Sequence, residues 1–325
     1  MIPHNRVRLR ADDKAAVARV LDSGQIGQGP EVAAFEDELA ERFRPGGAAA
    51  CVSSGTAALY LAQQVLQTRA WLPTYACSAL YHAMDLGCDE HGISFPLFDC
   101  EPDTLNTPQA TVVVHTYGVP CPVADDAIED FTHAPGVHLD GKPCGSMGAL
   151  SVISFGATKP LGCGSGGAVL GTSDLIAAIK DMRDYDGKRD LQDRFNWQWS
   201  DVGAVIGRSR LKRLDDEDAW RSQVAACYDI ARKRAHDRTR GWYRYVIQLE
   251  RVAEARARFA QAGIETIVPL ESWELLHRQL HLPAEDFPNA EIAARTTLSL
   301  PIWPGMGNED VDRVADVVAG LEDLL

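Results

Sequence analysis

Residues 48–66, AAACVSSGTAALYLAQQVL, hold an uninterrupted run of small apolar residues, a Ser-Ser-Gly-Thr turn, and then apolar residues at helical spacing. A strand that turns straight into a helix N-terminus is the repeating unit of an α/β fold. Upstream, residues 12–21 (DDKAAVARVL) carry the helical period, and the glycine-rich loop 23–30 (SGQIGQGP) leads into a second helix, EVAAFEDELAERF. Downstream come 71–87 (WLPTYACSALYHAMDLG), 93–99 (ISFPLFD) and 111–118 (TVVVHTYG), then an expected helix near Ala124 and a strand leading to Glu129 and Asp130. Short apolar strands alternating with helices predict a three-layer sandwich, with a mostly parallel central sheet covered on both faces.

Residues 151–173 (SVISFGATKPLGCGSGGAVLGTS) break that alternation, because two strand-like runs flank a glycine-rich turn with no helix between them. This predicts an antiparallel excursion. The chain then reads as mostly helical from Asp174 to about Glu217. From there it reads as helix, strand (242–250, WYRYVIQLE), helix (251–263), loop and a final helix after Asn308. The expected division is a large domain over 1–218, including the N-terminal helical segment, and a smaller α+β domain over 219–325. A chain of 325 residues is beyond the size at which one core keeps growing.

A net charge of -14 repels phosphate backbones over most of the surface and excludes nucleic-acid binding as the main activity. The basic clusters 208–213 and 232–240 read as solvated helix faces. The eight cysteines include no Cys-x-x-Cys pair, so they predict free thiols and neither a zinc ribbon nor a redox motif. His277 and His281 are four apart but lack the glutamate and third ligand of a zinc site, and they read as surface histidines; His133 and His138 form no metal pair either. No metal is expected. No apolar run is long enough to cross a bilayer, and no apolar segment follows Met1, so no membrane association and a cytoplasmic location are expected.

The Ser53-Ser54-Gly55-Thr56 turn offers N–H groups, hydroxyls and a helix dipole at one point, which suits either a phosphate or an ordinary N-cap. Gly162, Gly164 and Gly167 satisfy G-x-G-x-x-G, yet the residues after them are strand-like, which denies a dinucleotide fingerprint. Lys159 follows the apolar run SVISF between Thr158 and Pro160. A desolvated lysine there can attack an aldehyde to form a Schiff base. Asp130, at a strand end, can keep a pyridine nitrogen protonated.

In this order the segments VLDSGQIGQGPEVAAFEDELA, CVSSGTAAL, LPTYACSALYHAMDLG, VVVHTYGVP, AIEDFTHAPG, SVISFGATKPLGCGSGGAV, FNWQWSDVGAVIGRSRLKRLD and LSLPIWPGM resemble the DegT/DnrJ/EryC1/StrS sugar aminotransferases, over almost the whole chain. The resemblance implies the fold type I architecture, pyridoxal 5'-phosphate (PLP) on Lys159, and Asp130 at the pyridine nitrogen. It implicates Ser54, Gly55, Thr56 and Ser154 at the phosphate and His133 near the phenolic oxygen. It also implies Asn196 reaching the phosphate from a neighbouring subunit, hence a homodimer with shared sites. Cys77 stands where the family has an aromatic ring, which leaves Tyr75 or another group to pack on the cofactor. Gln198, Trp199 and Ser165 also depart from the pattern, and the segment between Cys227 and Trp242 is shorter than usual. The implied activity is transfer of an amino group from an amino acid, glutamate in the first instance, to a keto sugar carried on a nucleotide. The alternatives are a cyclitol or other non-nucleotide ketone, or a PLP-binding protein without turnover.

Overall fold

The computed structural model describes residues 1–67, 71–85, 97–102 and 105–324. Helices α1 (Ala11–Ser23) and α2 (Pro30–Phe43) precede β1 (Ala48–Val52), which passes through Ser54 into α3 (Gly55–Leu66). Then come β2 (Leu72–Pro73), α4 (Ala79–Asp85), β3 (Leu97–Phe98), β4 (Val112–Val114) and β5 (Ile128–Asp130). The hairpin β6 (His138–Leu139) and β7 (Lys142–Pro143) leads to β8 (Leu150–Ser154), β9 (Gly167–Gly171) and α5 (Ser173–Met182). After α6 (Asp201–Leu211) and α7 (Leu214–Ala231) the chain forms β10 (Tyr245–Gln248), α8 (Val252–Gln261), α9 (Leu276–Gln279), α10 (Pro288–Thr296), β11 (Thr297–Leu300) and α11 (Asn308–Ala319). Residues 86–87 and 93–96 of the expected elements lie outside the described residues.

The central sheet has the order β1-β9-β8-β5-β4. β9 is antiparallel to both β1 and β8, while β5 is parallel to β8 and to β4. Four strands therefore share one direction and β9 alone is reversed, which is the excursion expected from residues 151–173. Alternation along the strands supplies both faces. Ala50, Val52, Val152 and Val169 pack with α3 and α5, whereas Ala49, Cys51, Ile153, Ala168 and Leu170 pack with α2. The result is the expected three-layer α/β fold.

Several local expectations fail for identifiable reasons. Near Ala124 there is a turn closed by the Ala127 N–H to Ala124 O bond (3.0 Å). With Pro120 and Pro122 on one side and β5 on the other, too few residues remain to offset helix nucleation. Residues 183–200 are not helical; Phe195 and Trp197 stack at 4.0 Å, each edge-on to Tyr60 of α3. The 208–213 cluster is not a solvated face, because α6 packs on α1 and α2. Arg210 and Arg213 are buried and paired with Glu217 and Asp13, and Arg208 bridges Glu31 and Glu38. In the C-terminal part, β11, which forms where a loop is expected, pairs antiparallel with β10. Helix α7 runs through the 218/219 division: its Leu214 joins the core of the sheet's α2 side, while Val224, Ala225 and Tyr228 join the C-terminal core together with Ile2.

His277 is fully buried and not a surface residue. Its Nδ1 accepts from the Thr74 hydroxyl (2.7 Å) and its Nε2–H donates to Glu291 (2.9 Å), which also takes Arg278. The Arg278 and His277 bonds outweigh burial and hold the Glu291 carboxyl at about 2. This network ties α9 and α10 to the end of β2. We expect Glu291→Gln to lower stability by about 2–4 kcal/mol at pH 7. The depressed folded-state value makes the contribution complete above the unfolded carboxyl range and lost as pH falls toward 2. Urea unfolding should accordingly show the gap between wild type and variant closing in acid; a gap independent of pH would contradict the assignment.

Candidate active site

The four like-directed strands bring their C-terminal ends to one edge of the sheet, beside the N-terminus of α3, which is where open α/β sheets place their ligands. There lies a cavity of about 470 Å³ lined by Ser54, Gly55, Thr56, Tyr75, Cys77, Asp130, His133, Ser154 and Lys159 among others. Nine of the ten residues singled out in the sequence thus meet at one cavity. Asn196 does not: it is exposed and bridges to Asp184, although the next residue's carbonyl accepts the Ser53 N–H at 2.9 Å.

Ser54 caps α3, its Oγ accepting the Ala57 N–H at 3.0 Å. A Cβ on Gly55 would lie 2.7 Å from Ser154 Cβ, so glycine is required for the helix start to meet the end of β8. The Ser154 Oγ, the Ser54 and Thr56 hydroxyls and the helix dipole then share one corner of the cavity. The Gly162-Gly164-Gly167 run leads into β9 and not a helix, with Gly166 in the left-handed region against the Trp199 ring.

Pleating on β5 sends consecutive acids to opposite faces. Glu129 is buried away from the cavity, accepting the N–H groups of Gly145 (2.7 Å) and Met147 (2.8 Å), the Ser151 hydroxyl and His115 Nε2–H. His115, Glu129 and Cys144 come close enough to suggest a metal, but the His115 Nδ1 accepts the Cys121 N–H, so both ring nitrogens are engaged. Asp130 faces the cavity, where its Oδ1 accepts the Thr132 N–H at 3.0 Å. Burial pushes its carboxyl up, against the opposing pull of Thr132 and Lys159.

Lys159 Nζ lies 2.9 Å from His133 Nε2 and 5.1 Å from the Tyr243 ring centroid. Burial, reinforced by Lys159 and Arg244, pushes the His133 imidazole well below its ordinary value. Its Nδ1 accepts the Tyr117 N–H at 3.3 Å, and its ring stacks on Tyr243 at 4.3 Å. Burial alone would raise the Tyr243 phenol, but Lys159 and Arg244 more than offset it and the net direction is down. Tyr75 keeps its hydroxyl on Tyr117 (3.1 Å) and Thr297 (3.4 Å). Cys77 lines the cavity and is exposed, while the protein crowded around it raises its thiol by desolvation. The sequence reading missed Tyr117, Tyr243 and Arg244; the only available signal was WYRY just ahead of a strand.

A primary amine, a buried carboxyl and a hydroxyl-lined helix start around a cavity of this size fit a phosphorylated pyridine aldehyde. The model of the DegT/DnrJ/EryC1/StrS aminotransferase family matches residues 7–70 and 101–319. The chain belongs to that family. As such it is a PLP-dependent aminotransferase. The chain is 30% identical to the dTDP-3-amino-3,4,6-trideoxy-alpha-D-glucose transaminase of Streptomyces venezuelae, over 95% of this chain and 92% of that one. The crystal structure of S. venezuelae DesV is similar at a TM-score of 0.85, with 27% identity over 98% of this chain and 96% of that one. The PLP form of the sugar aminotransferase Spr1654 from Streptococcus pneumoniae shares the fold at a TM-score of 0.87, with 19% identity over 99% of this chain and 98% of that one.

The Gly55–Ser154 approach yields a direct test. Gly55→Ala should raise the Kd for PLP about 10–100-fold through overpacking at the cradle. Gly27→Ala, where a Cβ meets nothing within 4 Å, should leave it unchanged. Equal affinities in absorbance titration would show that the phosphate is held elsewhere.

Proposed function

We propose that this aminotransferase moves the amino group of an amino acid, L-glutamate in the first instance, onto the ketone of a nucleotide-linked sugar. We further propose that it works as a cytoplasmic homodimer with a large PLP-binding domain over 1–218 and a smaller one over 219–325. The observation that carries the reading is the meeting of the Lys159 amine, the Asp130 carboxyl and the Ser54–Thr56 and Ser154 hydroxyls at one cavity. The name of the S. venezuelae relative, a dTDP-sugar transaminase, supports the substrate class.

PLP, when bound, supplies an aldehyde that captures primary amines and a ring that accepts electron pairs. Lys159 would hold it through its side-chain amine, and that amine, when free, would take the proton from the donor's α-carbon and return one to the carbon being aminated. Asp130, as a buried carboxylate, would hold the ring nitrogen in its protonated form by charge pairing. Ser54, Gly55, Thr56 and Ser154 would hold the phosphate, His133 would neighbour the phenolic oxygen, and Tyr75 and Cys77 line the same cavity. Asn196, exposed on its own chain, completes the partner's phosphate site.

A second reading, amination of a cyclitol or other ketone without a nucleotide, is favoured by the short link after α7. That link is packed inward, with the Gly241 N–H on Gly118 O (2.8 Å) and His236 stacked on Trp242. Incubation with ¹⁵N-glutamate and a panel of both ketone classes decides between them; we expect label in the nucleotide-linked sugars, and label confined to the cyclitols would overturn the first reading. Asp130→Asn should keep the cofactor bound while lowering turnover about 10²–10⁴-fold. Mixing inactive Lys159→Ala with an inactive Asn196→Ala chain should restore one intact site per mixed two-fold dimer. No recovery despite subunit exchange would refute the shared site.

A further inference from the structure

Arg244, half-buried just ahead of β10, lines the same cavity as Lys159 and Asp130. Its guanidinium carbon lies 5.1 Å from the Tyr243 ring centroid, and Lys159 Nζ lies 5.1 Å from the same point, so the two cations are separated by no more than twice that distance. Its Nη1 is fully buried and, among the described residues, has no hydrogen-bond partner. Its charge acts on His4, Tyr75, Tyr117, His133 and Tyr243, none of them a carboxylate. Asp130 is the only acid among the described residues lining the cavity.

The other interior arginines are treated differently. Arg183 is paired with Glu36, Arg210 with Glu217 and Arg213 with Asp13. Each of those three also leaves a buried Nε–H without a partner, but its charge is matched by a carboxylate; Arg244 alone of the four has a buried guanidinium N–H and, among the described residues, no carboxylate partner, and that unmatched charge marks an anion site. The planar fork of donors matches a carboxylate. One competing anion, the cofactor phosphate, has its own hydroxyl-lined cradle at the start of α3. An α-amino acid, by contrast, carries a carboxylate on the very carbon whose amino group must reach the position of the Lys159 amine.

We propose that Arg244 receives the α-carboxylate of the amino donor and so selects α-amino acids over simple amines. This rests on the aminotransferase reading of the Lys159 cavity. It assigns Arg244 to specificity, with proton transfer left to Lys159.

The test compares holoenzyme, Arg244→Gln and Arg244→Lys with three probes: maleate, an unreactive dicarboxylate; L-glutamate; and 1-phenylethylamine, a primary amine with no carboxylate. Calorimetry gives the maleate Kd, and the change in cofactor absorbance gives the half-reaction efficiency with each amine. Arg244→Gln should raise the maleate Kd about 10–100-fold and cut the preference for L-glutamate over 1-phenylethylamine by a similar factor, with partial recovery in Arg244→Lys. A variant that is merely destabilised would weaken both amines together and leave the ratio intact. An unchanged maleate Kd and an unchanged ratio, or wild type that fails to bind maleate, would overturn the proposal. Maleate binding that depends on Arg244, in a holoenzyme that reacts with neither amine, would uphold the anion site and sink the aminotransferase reading instead.

Discussion

The start of α3 has to press against the end of β8, and everything at the cavity follows from that approach. A Cβ on residue 55 would sit 2.7 Å from Ser154, so the contact exists because residue 55 is glycine. It sets the helix dipole and three hydroxyls at one corner. It also fixes where β5 ends, since β5 and β8 are parallel neighbours with Asp130 opposite Val152. Lys159, in the turn after β8, lines the same cavity. One steric allowance thereby positions the phosphate corner, the acid and the amine relative to one another.

Charge placement divides along the same lines. Away from the cavity, buried ions are matched: Glu129 accepts four hydrogen bonds, and Arg208, Arg210 and Arg213 have acids from α2, α7 and α1. Such networks fix geometry more than they add stability. Inside the cavity Asp130, Lys159 and Arg244 have no direct ion pair among the described residues; burial together with Lys159 and Arg244 pushes the His133 imidazole down, and the same two cations push the Tyr243 phenol down against its burial. Charged groups with perturbed neighbours in a cleft mark a functional site.

Much of this was legible in the sequence because it depends on local pattern. The switch from an uninterrupted apolar run to a helical period at Ser53–Thr56 gives the βα unit, and the glycines of 162–167 give the reversal into β9. Lys159 and Asp130 stood out as charges at the ends of apolar strands. What was not legible depends on partners far along the chain. His277 is buried through Thr74, 203 residues away, and no local feature distinguishes it from a surface histidine. Arg210 and Arg213 look solvated until α1 supplies Asp13. Tyr243 and Arg244 gain their roles only when β10 and β11 pair and bring the segment to Lys159. The helix expected near Ala124 failed for a local reason, the prolines beside it, that spacing alone underweighted.

The central claim is that Lys159 is the residue that carries the cofactor in this cavity. Borohydride reduction of the PLP-loaded protein, followed by proteolysis and mass spectrometry of the peptides, measures it directly. The account predicts loss of the visible absorbance and a phosphopyridoxyl mass on the peptide containing Lys159, with none in Lys159→Ala. The label on another lysine, or no covalent label in a protein that binds PLP, would contradict it.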